Sequence, residues 1–181
     1  GTGLTTIKIL EADPRIKVIS VDNEEITIKQ AEQIFADLKE RIEFIQKDIL
    51  SALLKIQDGS LDVFASAFTI HNFNNEYREK VFKEVSRVLK KGGLFVNADK
   101  YALDDLEAHI NSLNTQIKNL DVYETVGRPE IKEKWIKHYY EDEKTKITEG
   151  EQIKMLEELG FEDIKVIFRK GMEATITAVK I

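Results

Sequence analysis

The chain has 181 residues, 42% hydrophobic and 33% charged, which suits one globular domain with a sizeable core. Its net charge of −6 argues against a broad nucleic-acid surface, which needs clustered lysine and arginine, so no nucleic-acid partner is expected. The lack of cysteine excludes disulfides, zinc–thiolate sites and a cysteine nucleophile and makes cytoplasmic residence the default, and no apolar run is long enough to span a membrane.

Gly1-Thr2-Gly3 is a small turn of the kind that lets a backbone approach a ligand closely. Residues 5–11 read as a helix with Ile7 and Leu10 inward. Residues 16–21 form a β-branched run closed by Asp22. A helix follows over 25–40, with Ile28, Ala31, Ile34, Phe35 and Leu38 on one face. Residues 42–45 are a second strand, closed by Lys47-Asp48, and 51–56 a short helix before the Asp58-Gly59 turn. Residues 61–66 are a third strand. The stretch 75–89 is an amphipathic helix, with Lys90-Lys91 expected in its last turn and Gly92-Gly93 as its left-handed stop. Residues 94–98 are a fourth strand.

Strands alternating with helices predict βαβ units and a parallel sheet with right-handed crossovers. Residues 101–148 break that rhythm: they read as helical, polar and studded with aromatics, with a break at Gly127-Arg128-Pro129. A helix over 151–159, stopped by Gly160, then leads into strands at 164–169 and 174–180. The Lys170-Gly171 turn between those strands is too short for a crossover, so they form an antiparallel hairpin. The expected fold class is α/β: a Rossmann-like, doubly wound, mostly parallel sheet with an antiparallel C-terminal hairpin and a helical insertion. One domain, 1–181, carries that insertion as a lid over about 101–148.

These features together narrow the field. Gly1-Thr2-Gly3-Leu4-Thr5-Thr6, Val18-Ile19-Ser20-Val21-Asp22, Gln46-Lys47-Asp48-Ile49, Leu61-Asp62-Val63-Phe64 and Val88-Leu89-Lys90-Lys91-Gly92-Gly93-Leu94-Phe95 occur in the order and spacing that resemble the class I S-adenosylmethionine-dependent methyltransferases. The resemblance implies S-adenosyl-L-methionine as cofactor and methyl transfer to a small-molecule acceptor. It implies that Gly1 and Gly3 pass under the methionine portion of the cofactor. Asp22 would hold the ribose hydroxyls, with Asn23 along the adenosine. Asp48 would accept from the adenine amino group, with Ile49 at the ring edge, and the carbonyls of Ala67 and Phe68 would meet the ammonium. Read as residues alone, Asp22 and Asp48 serve equally well as helix caps or turn acids. The resemblance also implies a further strand ahead of Gly1, lying between the strands at 16–21 and 61–66. The unpaired edges left without it would invite association, a homodimer being the simplest form.

The acceptor pocket is expected above the strand ends. His71 is the one candidate catalytic residue, able to orient or deprotonate an acceptor; it would otherwise cap the next helix or lie beside the cofactor. Asp99-Lys100-Tyr101 follows the fourth strand and faces the same crevice. Trp135, His138 and Tyr139 fall near one helical face and form either a lid or a packing surface. No spacing of histidines and acids points to a metal, so none is expected. Two other classes stay open: a cofactor-binding module without methyl transfer, and another enzyme using the same cofactor. The latter includes enzymes that carboxylate rather than use the methyl, although no arginine motif supports them.

Overall fold

A glycine in the left-handed region begins the first helix. Gly3 has φ +95°, and a Cβ built on it would lie 2.3 Å from Cε2 of Phe35. A computed structural model describes residues 1–181. Its contacts cluster into two units, Gly1–Gln57 and Asp58–Ile181.

In the first unit, α1 (Leu4–Ala12), β1 (Val18–Asp22), α2 (Glu25–Ile34), β2 (Ile42–Gln46) and α3 (Ile49–Leu53) follow in order. β1 and β2 pair in parallel, Val18 against Ile42 through Asp22 against Gln46. Leu10, Ala31, Phe35 and Ile42 form the core, with Ile7, Ile16, Val18, Leu38 and Phe44 packed on it. Arg41 ties the layers together: its guanidinium donates to the carbonyls of Leu10, Asp13 and Ile16 at 2.8–3.0 Å. α2 is shorter than its periodicity predicts. Phe35 leaves the helix to fill the core, and a 3-10 turn at Ala36–Leu38 redirects the chain into β2. Ile34, expected inward, is exposed as a result.

Gly3→Ala combines a strained φ with a clash against a buried ring. It is expected to lower stability by about 1–2 kcal/mol, read as a lower urea midpoint. An unchanged midpoint would show that Phe35 swings aside without loss.

In the second unit, β3 (Leu61–Ala67), α4 (Asn75–Val88), β4 (Leu89–Lys100), α5 (Leu106–Asn119), α6 (Val122–Thr125), α7 (Pro129–Thr145), α8 (Glu149–Glu158), β5 (Phe161–Lys170) and β6 (Glu173–Lys180) follow. The sheet order is β3-β4-β6-β5. β3 and β4 are parallel, whereas β6 runs antiparallel to both β4 and β5. Val81, Phe82, Val85 and Val88 of α4 and Leu156 of α8 are buried. The Phe95 ring meets those of Phe82 and Phe161 at centroid distances of 5.5 and 5.9 Å.

The end of α4 differs from expectation. The helix stops at Val88 and β4 begins at once, so Lys90 and Lys91 lie in the strand rather than in a last helical turn. Lys90 Nζ pairs with Asp62 at 2.6 Å. Gly92 and Gly93 therefore make a bend within β4: Gly92 has φ +76°, and a Cβ at Gly93 would come within 2.8 Å of the Lys90 carbonyl oxygen.

The region between β4 and α8 is helical. Asp105 caps α5 by accepting from the Ala108 amide at 2.7 Å, and Pro129 occupies the first turn of α7, where its missing N–H costs nothing. Thr148 and Glu151 form a capping box that starts α8.

Candidate functional site

In the first unit the parallel pairing sets Asp22 opposite Gln46, at the carboxyl ends of both strands. The Lys47 amide donates to the Asp22 carbonyl at 3.0 Å, which continues the register to the edge of Asp48. Asp22 Oδ1 accepts from the Glu24 amide at 2.8 Å, Oδ2 pairs with the Gly1 ammonium, and Asn23 sits exposed in the intervening turn. Asp48 accepts from the Ser51 amide at 3.0 Å as the N-cap of α3, whose first residue is Ile49. Asp48 thus caps a helix and Asp22 braces a turn, each while standing at a strand end. Gly3 is the N-cap of α1, which has no side-chain cap, and its carbonyl accepts from the Ile7 amide at 2.9 Å.

In the second unit β3 ends at Ala67, and Phe68 takes φ +49°, a costly conformation for a residue with a side chain. Phe68 is 51% exposed, and its amide donates to the Ala98 carbonyl at 2.9 Å. The chain then dips inward at Ile70 and His71, both buried. His71 does not cap α4; the Asn74 side chain does, accepting from the Tyr77 amide.

Asp99, at the end of β4, grips His71 twice. Its Oδ1 lies 2.5 Å from Nδ1 and its Oδ2 accepts from the His71 amide at 3.1 Å. A carboxylate only accepts, so Nδ1 carries a hydrogen toward Asp99. Nε2 faces Asp142 of α7, with 3.7 Å to Oδ2. Lys100 Nζ lies 3.2 Å from the same oxygen and 3.9 Å from the centroid of the Tyr139 ring.

Beside these groups lies a small cleft, a recess of about 20 Å³ open to solvent on one side. His71, Lys100, Tyr139, Asp142 and Lys146 form its polar wall, and Ala102, Leu113 and Met172 its apolar one. Tyr101 also borders it, but its side chain is 1% exposed and its hydroxyl accepts from Asn97 Nδ2 at 2.9 Å. Burial pushes the Tyr101 phenol far above its ordinary pKa, so it stays protonated. The Tyr139 phenol is also raised, first by burial and then by the Asp142 charge. Trp135 lies outside the cleft wall, 41% exposed, with its ring 5.4 Å from that of His138.

Asp142 is the residue that sequence reasoning missed. Its signal was present, four positions after His138 on one face of a helix. Asp99 was noted only as part of a crevice-facing tripeptide, because its partner His71 lies on another element.

The family model of the methyltransferase domain matches residues 1–93. A carboxy-S-adenosyl-L-methionine synthase of Nautilia profundicola is 28% identical over 99% of this chain and 74% of its own length. A protein of the same name from Sulfurimonas denitrificans is 27% identical over 90% of this chain and 66% of its own length. Among solved structures, an O-methyltransferase family protein from Burkholderia thailandensis superposes with a TM-score of 0.71 at 15% identity, over 99% of this chain and 48% of that one, which is a likeness of fold. With the strand order, the hairpin and the acids at the ends of β1 and β2, the family match places this chain among the class I S-adenosylmethionine-dependent methyltransferases.

Proposed function

We propose that this chain transfers a methyl group from S-adenosyl-L-methionine to a small-molecule acceptor held in the cleft between β4 and the helices α5 and α7. The observation that carries this reading is the cleft itself. It stands where β4 ends, and it joins an apolar wall to a few convergent polar groups, the chemistry that small-ligand sites share.

The residues at the strand ends suit the cofactor. Asp22 offers an acceptor-only carboxylate for ribose hydroxyls, and Asp48 offers another near the neighbouring strand end. The first-turn amides of α1, with no side-chain cap, offer donors for an amino-acid carboxylate. Gly1, Gly3, Asn23, Ile49 and the carbonyls of Ala67 and Phe68 complete the proposed set. When bound, S-adenosylmethionine supplies an electrophilic methyl on a sulfonium. The rest is done by the chain: His71, fixed in one tautomer by Asp99, orients a protic group of the acceptor. Leu113 and Met172 keep water from the apolar side, and Tyr139 holds the Lys100 ammonium toward the acceptor.

A second reading is favoured by one observation: the similarity to the two carboxy-S-adenosyl-L-methionine synthases runs through the helical insertion as well as the nucleotide half. On that reading the cofactor is itself carboxylated. One experiment separates the two. The protein is incubated with methyl-labelled S-adenosylmethionine and a panel of small phenols, carboxylic acids and amines, and the products are resolved by mass spectrometry. Label on a panel compound, with S-adenosylhomocysteine released, is the expected result. A sulfonium product heavier by a carboxyl group, or cofactor bound and never consumed, would overturn methyl transfer.

A further inference from the structure

Three side chains from two elements converge beside the cleft: His71 after β3, and His138 and Asp142 one turn apart on α7. One ligating atom from each lies within 4.8 Å of the other two. The spacings are informative. His71 Nε2 stands 3.7 Å from one oxygen of Asp142, and His138 Nε2 stands 3.6 Å from the other. Both are too long for hydrogen bonds. They end on different oxygens of Asp142, so a cation between the three side chains would be met by a carboxylate turned to offer one oxygen or both.

The second observation lies behind His71. Asp99, almost fully buried, takes the Nδ1 hydrogen and turns Nε2 toward Asp142. The carboxylate–histidine arrangement is the outer support that metal-bound histidines ordinarily have. Lys100 already shows that this corner attracts a cation: its ammonium is 3.2 Å from Asp142, held at a distance by the Tyr139 ring.

We infer that His71, His138 and Asp142 bind a divalent transition cation of the zinc class, with an open position toward the cleft. Two imidazoles and one carboxylate suit such an ion, whereas calcium and magnesium prefer oxygen alone. Three protein ligands leave a fourth place for an acceptor oxygen, so the acceptor class is a hydroxyl or carboxylate compound able to bind the ion.

The test needs no S-adenosylmethionine, so it stands apart from the methyl-transfer reading. The chelator-treated protein is titrated with Zn²⁺ by calorimetry and with Co²⁺ by visible absorption. One equivalent is expected, with the intense absorption of four-coordinate cobalt. His138→Ala, on a partly exposed helix face, is expected to weaken Zn²⁺ binding at least tenfold while its circular dichroism stays unchanged. Asp99→Asn keeps all three ligands and is expected to weaken binding by about 10–100-fold. Equal Zn²⁺ affinity in the parent and His138→Ala, or a cobalt spectrum like that of the hydrated ion, would overturn the site.

Discussion

Arg78→Ala is expected to lower the stability of the protein by about 3–5 kcal/mol, the largest effect predicted for any single residue here. Arg78 lies on α4 with no exposed surface. Its guanidinium donates to the Phe73 carbonyl at 2.6 Å, to the Thr145 carbonyl at 2.5 Å and to Asn75 Oδ1 at 2.6 Å. Thr145 in turn donates from its hydroxyl to the His71 carbonyl at 2.8 Å. One charged fork thus joins the loop after β3 to the end of α7. Burial lowers the Arg78 pKa, which marks the desolvation cost its partners offset. Alanine leaves two partly buried carbonyls without a charged donor and a cavity where the side chain lay. Urea unfolding followed by Trp135 fluorescence measures the loss, since the chain has a single tryptophan and it sits on α7. Arg78→Lys is expected to recover only part, because one ammonium can replace Nη2 at the two carbonyls but not also Nη1 at Asn75. A loss below about 1 kcal/mol would mean that the two segments are held by other contacts.

Asp22→Ala is expected to weaken S-adenosylmethionine binding by about 1.5–3 kcal/mol, roughly 10–150-fold, the range for hydrogen bonds to a charged acceptor. The carboxylate ends β1 beside an exposed turn, and its only described amide partner is that of Glu24. Folding should therefore change little, as the urea midpoint would show. Calorimetry with the cofactor measures the affinity. An unchanged affinity in the folded variant would remove Asp22 from the site and leave it as a turn acid.

Much of the architecture was legible because period and punctuation agree. The strands read at 16–21 and 42–45 became the parallel pair Val18–Asp22 and Ile42–Gln46, and a turn too short for a crossover made β5 and β6 antiparallel. Two boundaries were not legible, and both yielded to packing. α2 ends early because Phe35 is drawn into the core, and α4 passes straight into β4 because Leu89 is already paired with Leu61. At the site, placing the acids at strand ends needed only the strand assignments. The joining of His71 to Asp99 and Asp142 was not visible. Nothing in a linear pattern relates a loop after β3 to a helix some 70 positions on, and only the fold brings the three into reach.

The sheet order has a consequence for how this unit assembles. β5 comes before β6 in the chain but lies outside it, bonded to β6 alone. Its docking edge is β6, so during synthesis it must wait for a strand not yet made. Meanwhile Val166, Ile167 and Phe168, which remain partly exposed even in the finished sheet, are presented to solvent as a short apolar β-segment. The hairpin joins the rest of the sheet only through the β4–β6 pairing, a non-local contact of the kind that forms slowly. Slow elongation through residues 161–180 would prolong the interval in which that segment can self-associate.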